Sequence, residues 1–128
     1  MQNTIQTISI WGLAILMVIF GLNKFFGFIP VEPPADPTAQ SFMGAMFTSY
    51  LFVIVALAEI VGGILITEPK TKFLGWLLLL PVIFNISAFH IAHDFIGNGI
   101  WLLPTLFFLI ITYFQFGTIK KAMNYGKA

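Results

Sequence analysis

A few side chains in this chain could do chemistry where chemistry is costly. The stretch FNISAFHIAHDF, residues 84–95, sets Asn85, His90, His93 and Asp94 at the end of an apolar run. Glu59 sits inside another apolar run, in ALAEIVGGIL, and Asn23 and Lys24 close a third, in FGLNKFFGF. A carboxylate such as Glu59 can carry a proton or hold a polar ligand; the alternative is a hydrogen bond that ties two helices together. Lys24 either snorkels to lipid head groups or forms a buried ion pair. Asn23 beside it points to a different face. Asn85 lies one turn after Pro81 and can answer the backbone carbonyl freed by that proline, or reach a ligand. On a helix His90 shares a face with His93 and Asp94, at i+3 and i+4. His-x-x-His-Asp could supply two or three metal ligands, but the chain has no further histidine and no cysteine to complete a set. No metal site is therefore expected, and His90, His93 and Asp94 remain its weak candidates against a reading as wetted interfacial residues.

The elements that position these groups follow from composition. Of 128 residues 59% are hydrophobic and 9% charged, whereas a soluble domain averages about 25% charged. Too little polar residue is present to cover a soluble surface. The expectation is one all-α, integral membrane domain over residues 1–128, a four-helix transmembrane bundle. Its spans are expected at about residues 8–29, 42–66, 73–92 and 100–116, where apolar runs are long enough to cross a bilayer. PVEPPADPTAQ reads as an ordered loop, because four prolines cannot sit inside a helix. TEPKTK reads as a polar turn, and the glycines of HDFIGNG suit a tight reversal. A β-barrel would alternate apolar and polar residues, which these runs do not. No internal repeat is evident.

Lysines set the expected orientation. Lys70, Lys72, Lys120, Lys121 and Lys127 fall on one side of four spans, and Lys24 with Glu32, Asp36 and Asp94 on the other. The positive-inside rule then places both termini in the cytoplasm, N-in/C-in. A cleaved signal peptide is not expected, since no lysine or arginine precedes the first run. With net charge +1 and no arginine, nucleic acid is not an expected partner. Without cysteine there are no disulfides, thiolate metal sites or CxxC redox chemistry. Glu59 and Asn85 fall nearer the middle of the membrane and the histidines nearer its outer face. A polar column of Glu59, Asn85 and an outer group is expected, with Lys24 beside Asp94 or a histidine. Ala58 and Gly62 are expected to admit a neighbouring helix, with Gly63 adding room. Trp11, Trp76 and Trp101 are expected as interfacial anchors, and most phenylalanines as lipid-facing or packing residues.

FGLNKFFGFIP, the proline-rich loop, SYLFVIVALAEIVGGILI and LLPVIFNISAFHIAHD together resemble the DoxX family of small bacterial membrane proteins. The resemblance covers roughly residues 10–115. It implies a four-helix bundle in the bacterial inner membrane, multi-pass, and makes Asn23, Lys24, Glu59, Asn85 and His90 the family-like positions for ligand binding or proton handling. It also departs from the family: the arginines often seen near the first span and in the tail are missing here.

Three functions are open at this stage. The first is a redox accessory subunit associated with a quinone or another lipophilic ligand, in which Glu59, Asn85 and His90 meet the quinone carbonyls. A quinone is the cofactor that reading takes, with a membrane or periplasmic redox protein as partner. The second is a non-enzymatic assembly or scaffold protein. The third, ranked lower, is a small proton-coupled carrier built as a homo-oligomer around Glu59. The sequence does not decide whether the chain is an enzyme.

Overall fold

A computed structural model describes residues 3–95 and 99–127; the middle of the HDFIGNG reversal lies outside them. Every regular element described is helical: α1 (Thr4–Phe26), α2 (Pro37–Thr48), α3 (Leu51–Leu65), α4 (Lys72–His93), α5 (Leu102–Phe114) and α6 (Phe116–Met123), followed by a 3-10 turn, Tyr125–Lys127.

α1 begins where the Asn3 side chain accepts from the Ile5 N–H at 2.8 Å and ends at Gly27. There φ of 62° lets the Gly27 N–H reach the Asn23 carbonyl at 2.7 Å. α1 and α4 agree with the expected first and third spans to within a few residues. Among the described residues they are the two helices long and apolar enough to cross a membrane alone.

The expected second span is broken: it divides into α2 and α3 with an 81° bend. α5 fills most of the expected fourth span, and the tail beyond it forms α6, bent by 68° from α5. Two to four passes are therefore available, depending on whether each bent pair acts as one span. The break in the second span has a local cause. Ser49 leaves helical geometry (φ −109°, ψ 172°), its hydroxyl accepts from the Leu51 N–H at 3.3 Å, and the Thr48 hydroxyl donates back to the Gly44 carbonyl at 2.8 Å. Both side chains compete with the backbone ladder. The proline-rich loop is also shorter than expected. Asp36 caps α2 by accepting from the Ala39 N–H at 3.0 Å, and Pro37 occupies the first turn, where its missing N–H does no harm.

α1 packs on α3 and α5, and α4 packs on the same two helices, so the four form a closed ring. Leu13, Met17, Leu79, Ile83, Phe108 and Ile111 fill its centre. The outward faces remain apolar, with Ile8, Ile15, Phe84, Leu106 and Leu109 exposed. A water-soluble protein would not leave such a surface bare; these helices carry the signature of a membrane protein.

Glycines set the close seams. The adjacent Gly62 and Gly63 of α3 serve different neighbours. A Cβ on Gly62 would strike Leu79 of α4 at 2.8 Å, and one on Gly63 would meet the Ala14 carbonyl of α1 at 3.1 Å. Opposite Gly62, a Cβ on Gly75 would lie 2.5 Å from the Ile66 backbone nitrogen and 2.9 Å from the Gly62 carbonyl. The expected close approach at Gly62 is to α4, where Gly75 stands opposite it. Trp76 joins α4 to α5: it lies between the rings of Phe73 and Phe108 and donates from Nε1 to the Thr112 hydroxyl at 2.8 Å. Trp76 and Trp101 are both buried, contrary to the expected interfacial anchoring; Trp11 is exposed.

Gly75→Ala is expected to destabilise the protein by about 1–3 kcal/mol, because the atoms in the way are backbone and cannot swing aside. Gly44→Ala, on α2 with no atom near its Cβ position, is expected to be neutral or stabilising by up to about 1 kcal/mol. Reversible unfolding in detergent compares them; equal effects would mean that the α3–α4 seam is looser than described.

Candidate functional site

Lys24 and Glu59 meet across the α1–α3 seam. The Lys24 ammonium donates to both carboxylate oxygens of Glu59, at 3.0 and 2.9 Å. Glu59 is 1% exposed, and the Lys24 side chain is 19% exposed. The geometry follows from helix stereochemistry. Cβ atoms tilt toward a helix's own N-terminus. A lysine at the last turn of α1 is therefore aimed back along the helix toward Glu59. Gly21, one turn earlier, supplies the space: a Cβ there would lie 2.6 Å from Ile60, 2.8 Å from the Ala56 carbonyl and 3.3 Å from the Glu59 Cβ. A lone charge at membrane depth costs about 3 kcal/mol or more; here the pair is held with both acceptors engaged. Two of the three ammonium N–H groups are committed, so a ligand at this point would meet one remaining donor on the partly exposed lysine.

Asn23 does a different job on its own face. Its amide donates to the Ile29 carbonyl at 3.1 Å and its oxygen accepts from the Ile29 N–H at 2.6 Å. The side chain thus pairs like a strand backbone and folds the Phe28–Ile29 segment after Gly27 against the end of α1. That fixes the last turn from which Lys24 projects.

The expected polar column is not assembled. Glu59 is taken by Lys24, which meets neither Asp94 nor a histidine. Asn85 is exposed on the outward face of α4, and it forms no hydrogen bond among the described residues, to the Pro81-freed carbonyl or to any other group.

The histidines form a second cluster, where α4 ends and α2 and α5 begin. His90 Nδ1 lies 3.3 Å from the Asp94 carbonyl oxygen and 3.6 Å from its carboxylate. The His90 ring stacks on Trp101 with centroids 5.4 Å apart. His93 Nδ1 lies 3.2 Å from Asp36 Oδ2, the same oxygen that caps α2. Phe42 of α2 meets Phe89 of α4, with ring centroids 5.5 Å apart. These contacts pin α2 to the end of α4. Among the described residues no three histidine, aspartate or glutamate side chains converge as a metal site would require. Sequence reasoning missed two buried donors without a partner, Trp101 Nε1 and Gln115 Nε2. Gln115 was visible as a polar residue closing the fourth apolar run, but its burial was not.

No protein-family model, curated protein or solved structure matches this chain.

Replacing Lys24 by Met leaves a fully buried carboxylate without its partner and is expected to cost about 3–5 kcal/mol. Glu59→Leu is expected to cost less, because the freed lysine is already partly exposed and can turn outward. The double variant is expected to lose far less than the sum. A double-mutant cycle by unfolding in detergent reads the coupling; additive losses would mean that the two groups do not interact.

Proposed function

We propose that this chain is a DoxX-like four-helix bundle of the bacterial inner membrane with both termini in the cytoplasm, working as a non-enzymatic assembly or anchor protein for a second membrane component. The observation that carries this reading is Asn85. Its amide faces outward from the middle of an apolar helix with no partner among the described residues. An unpaired amide in hydrocarbon costs several kcal/mol. Hydrogen bonds between membrane helices remove that cost. Pro81, Ala88 and Ala92 are exposed on the same face, so another helix can approach closely there. The partner is a membrane redox protein or a second copy of the chain. Both oxygens of Glu59 are committed to Lys24, which favours a structural role for the acid over a proton-coupled carrier. Lys70, Lys72, Lys120 and Lys121 gather at one end, in keeping with a cytoplasmic placement of that end.

A second reading has its own support. The buried, unpartnered Trp101 Nε1 lies in the ring that stacks on His90. That N–H can donate to a carbonyl of a flat lipophilic ligand such as a quinone, as a redox accessory subunit would need. Mass spectrometry of lipid-retaining preparations separates the two: a stoichiometric quinone lost in His90→Ala favours the redox reading, and phospholipid alone removes it.

For the assembly reading, Asn85→Leu is expected to leave the fold as stable as the wild type or more so, and to reduce the particle extracted in mild detergent to the size of a monomer. A wild-type particle that is already monomeric, or a variant particle of unchanged size, would contradict it.

A further inference from the structure

We infer that α6 and the α3–α4 turn together form a binding surface for anionic phospholipid; the inference rests on the membrane-spanning reading and concerns the end of the molecule away from the histidine cluster. The bond from Trp76 Nε1 to Thr112 sets the first turns of α4 beside the last turn of α5. Lys72, one turn before Trp76, therefore stands at the level where α6 begins, and Lys70 precedes it in the turn. At Gln115 the chain leaves the axis of α5 by 68°, so α6 does not continue along the ring.

α6 is strongly two-faced. Phe116, Ile119 and Met123 follow at i, i+3 and i+7 on one side. Ile119 packs against the central core, which fixes the helix in place. Phe116 and Met123 extend the same stripe outward, 61% and 75% exposed. Lys120 borders the stripe and Lys121 lies on the opposite, polar face, both exposed. This is the pattern of a helix lying at the level of the head groups, with apolar side chains toward the acyl region and lysines toward phosphates.

Charge selects the occupant. Among the described residues Lys70, Lys72, Lys120 and Lys121 form no ion pair, and Glu68 is the acid of the same turn. The opposite end holds Glu32, Asp36 and Asp94, and its lysine, Lys24, is committed to Glu59. Four unpaired ammonium groups beside exposed Phe116 and Met123 match a lipid that brings a phosphate without a compensating cation, such as phosphatidylglycerol, rather than zwitterionic phosphatidylcholine.

The test uses the full chain in nanodiscs made from equal parts phosphatidylcholine and phosphatidylglycerol, with spin-labelled forms of each lipid reporting their association with the protein. The wild type is expected to prefer phosphatidylglycerol severalfold, the preference falling steeply with added salt. In the K70Q/K72Q/K120Q/K121Q variant it is expected to fall to near parity. Equal association of both lipids with the wild type would overturn the inference, and so would a preference that survives the four substitutions or high salt. Alkaline carbonate extraction of both proteins from membranes is read alongside. Release of the wild type would sink the membrane-spanning reading itself, whereas retention with no lipid preference would sink the lipid surface alone.

Discussion

Glu59 is buried in the middle of α3, and much of the molecule is arranged around meeting that carboxylate. An acid at this depth needs a cation, and the cation must reach it without opening the seam to its surroundings. Lys24 can do so because α1 ends just beyond it and its side chain is directed back down the helix. The end of α1 is in turn held by Gly27 in the left-handed conformation and by the Asn23 amide closing on Ile29. Gly21 lets α3 come near enough for the pair to form at hydrogen-bond distance. Four residues within one short segment of sequence thus serve a single electrostatic requirement set by a residue far along the chain.

The same closeness explains the position of α3. It has only 15 residues, too few to span a bilayer at full thickness, yet it touches α1 on one side and α4 on the other. Adjacent glycines, about 100° apart around a helix axis, allow contact with two neighbours at once. Without a hydrophobic driving force between helices in lipid, such close backbone contact and interhelical polar bonds are what hold a membrane fold together. The Lys24–Glu59 pair, the Trp76–Thr112 bond and the Gly62–Gly75 approach each join a different pair of helices or reinforce one. The histidine cluster adds a fourth fastening, which holds α2 across the end of α4.

Much of this could be read from the sequence, and the parts that could not have identifiable causes. Long apolar runs give α1 and α4 because nothing inside them competes with the helix. The break at Ser49 was hidden inside continuous apolar composition, since hydropathy does not register a hydroxyl that bonds its own backbone, and the bend at Gln115 falls where the fourth apolar run closes. Glu59 stood out as an anomaly, and an ion pair was one of the two readings of Lys24. That the two were partners was not legible: the pairing depends on the register of α1 against α3, which Gly21 and Gly63 set. Asn85 was expected to turn inward toward Glu59. Its outward orientation follows from the rotation of α4, whose inner face is taken by Trp76, Leu79 and Ile83. Those side chains offer far more area to bury than an amide does.

The polar residues of this chain therefore divide by direction. Glu59, facing inward, is satisfied by Lys24, Trp101 and Gln115 bury donors without a partner, and Asn85 faces outward, where the proposed assembly role would use it. The central claim is the contact between Lys24 and Glu59. It is tested most directly by solid-state NMR in lipid bilayers, through dipolar dephasing between lysine 15Nζ and glutamate 13Cδ, with Glu59→Gln assigning the signal. The account predicts strong dephasing, as for direct hydrogen-bond contact, lost in the variant. No dephasing in the wild type would mean that the pair does not form and that α1 and α3 meet in another register.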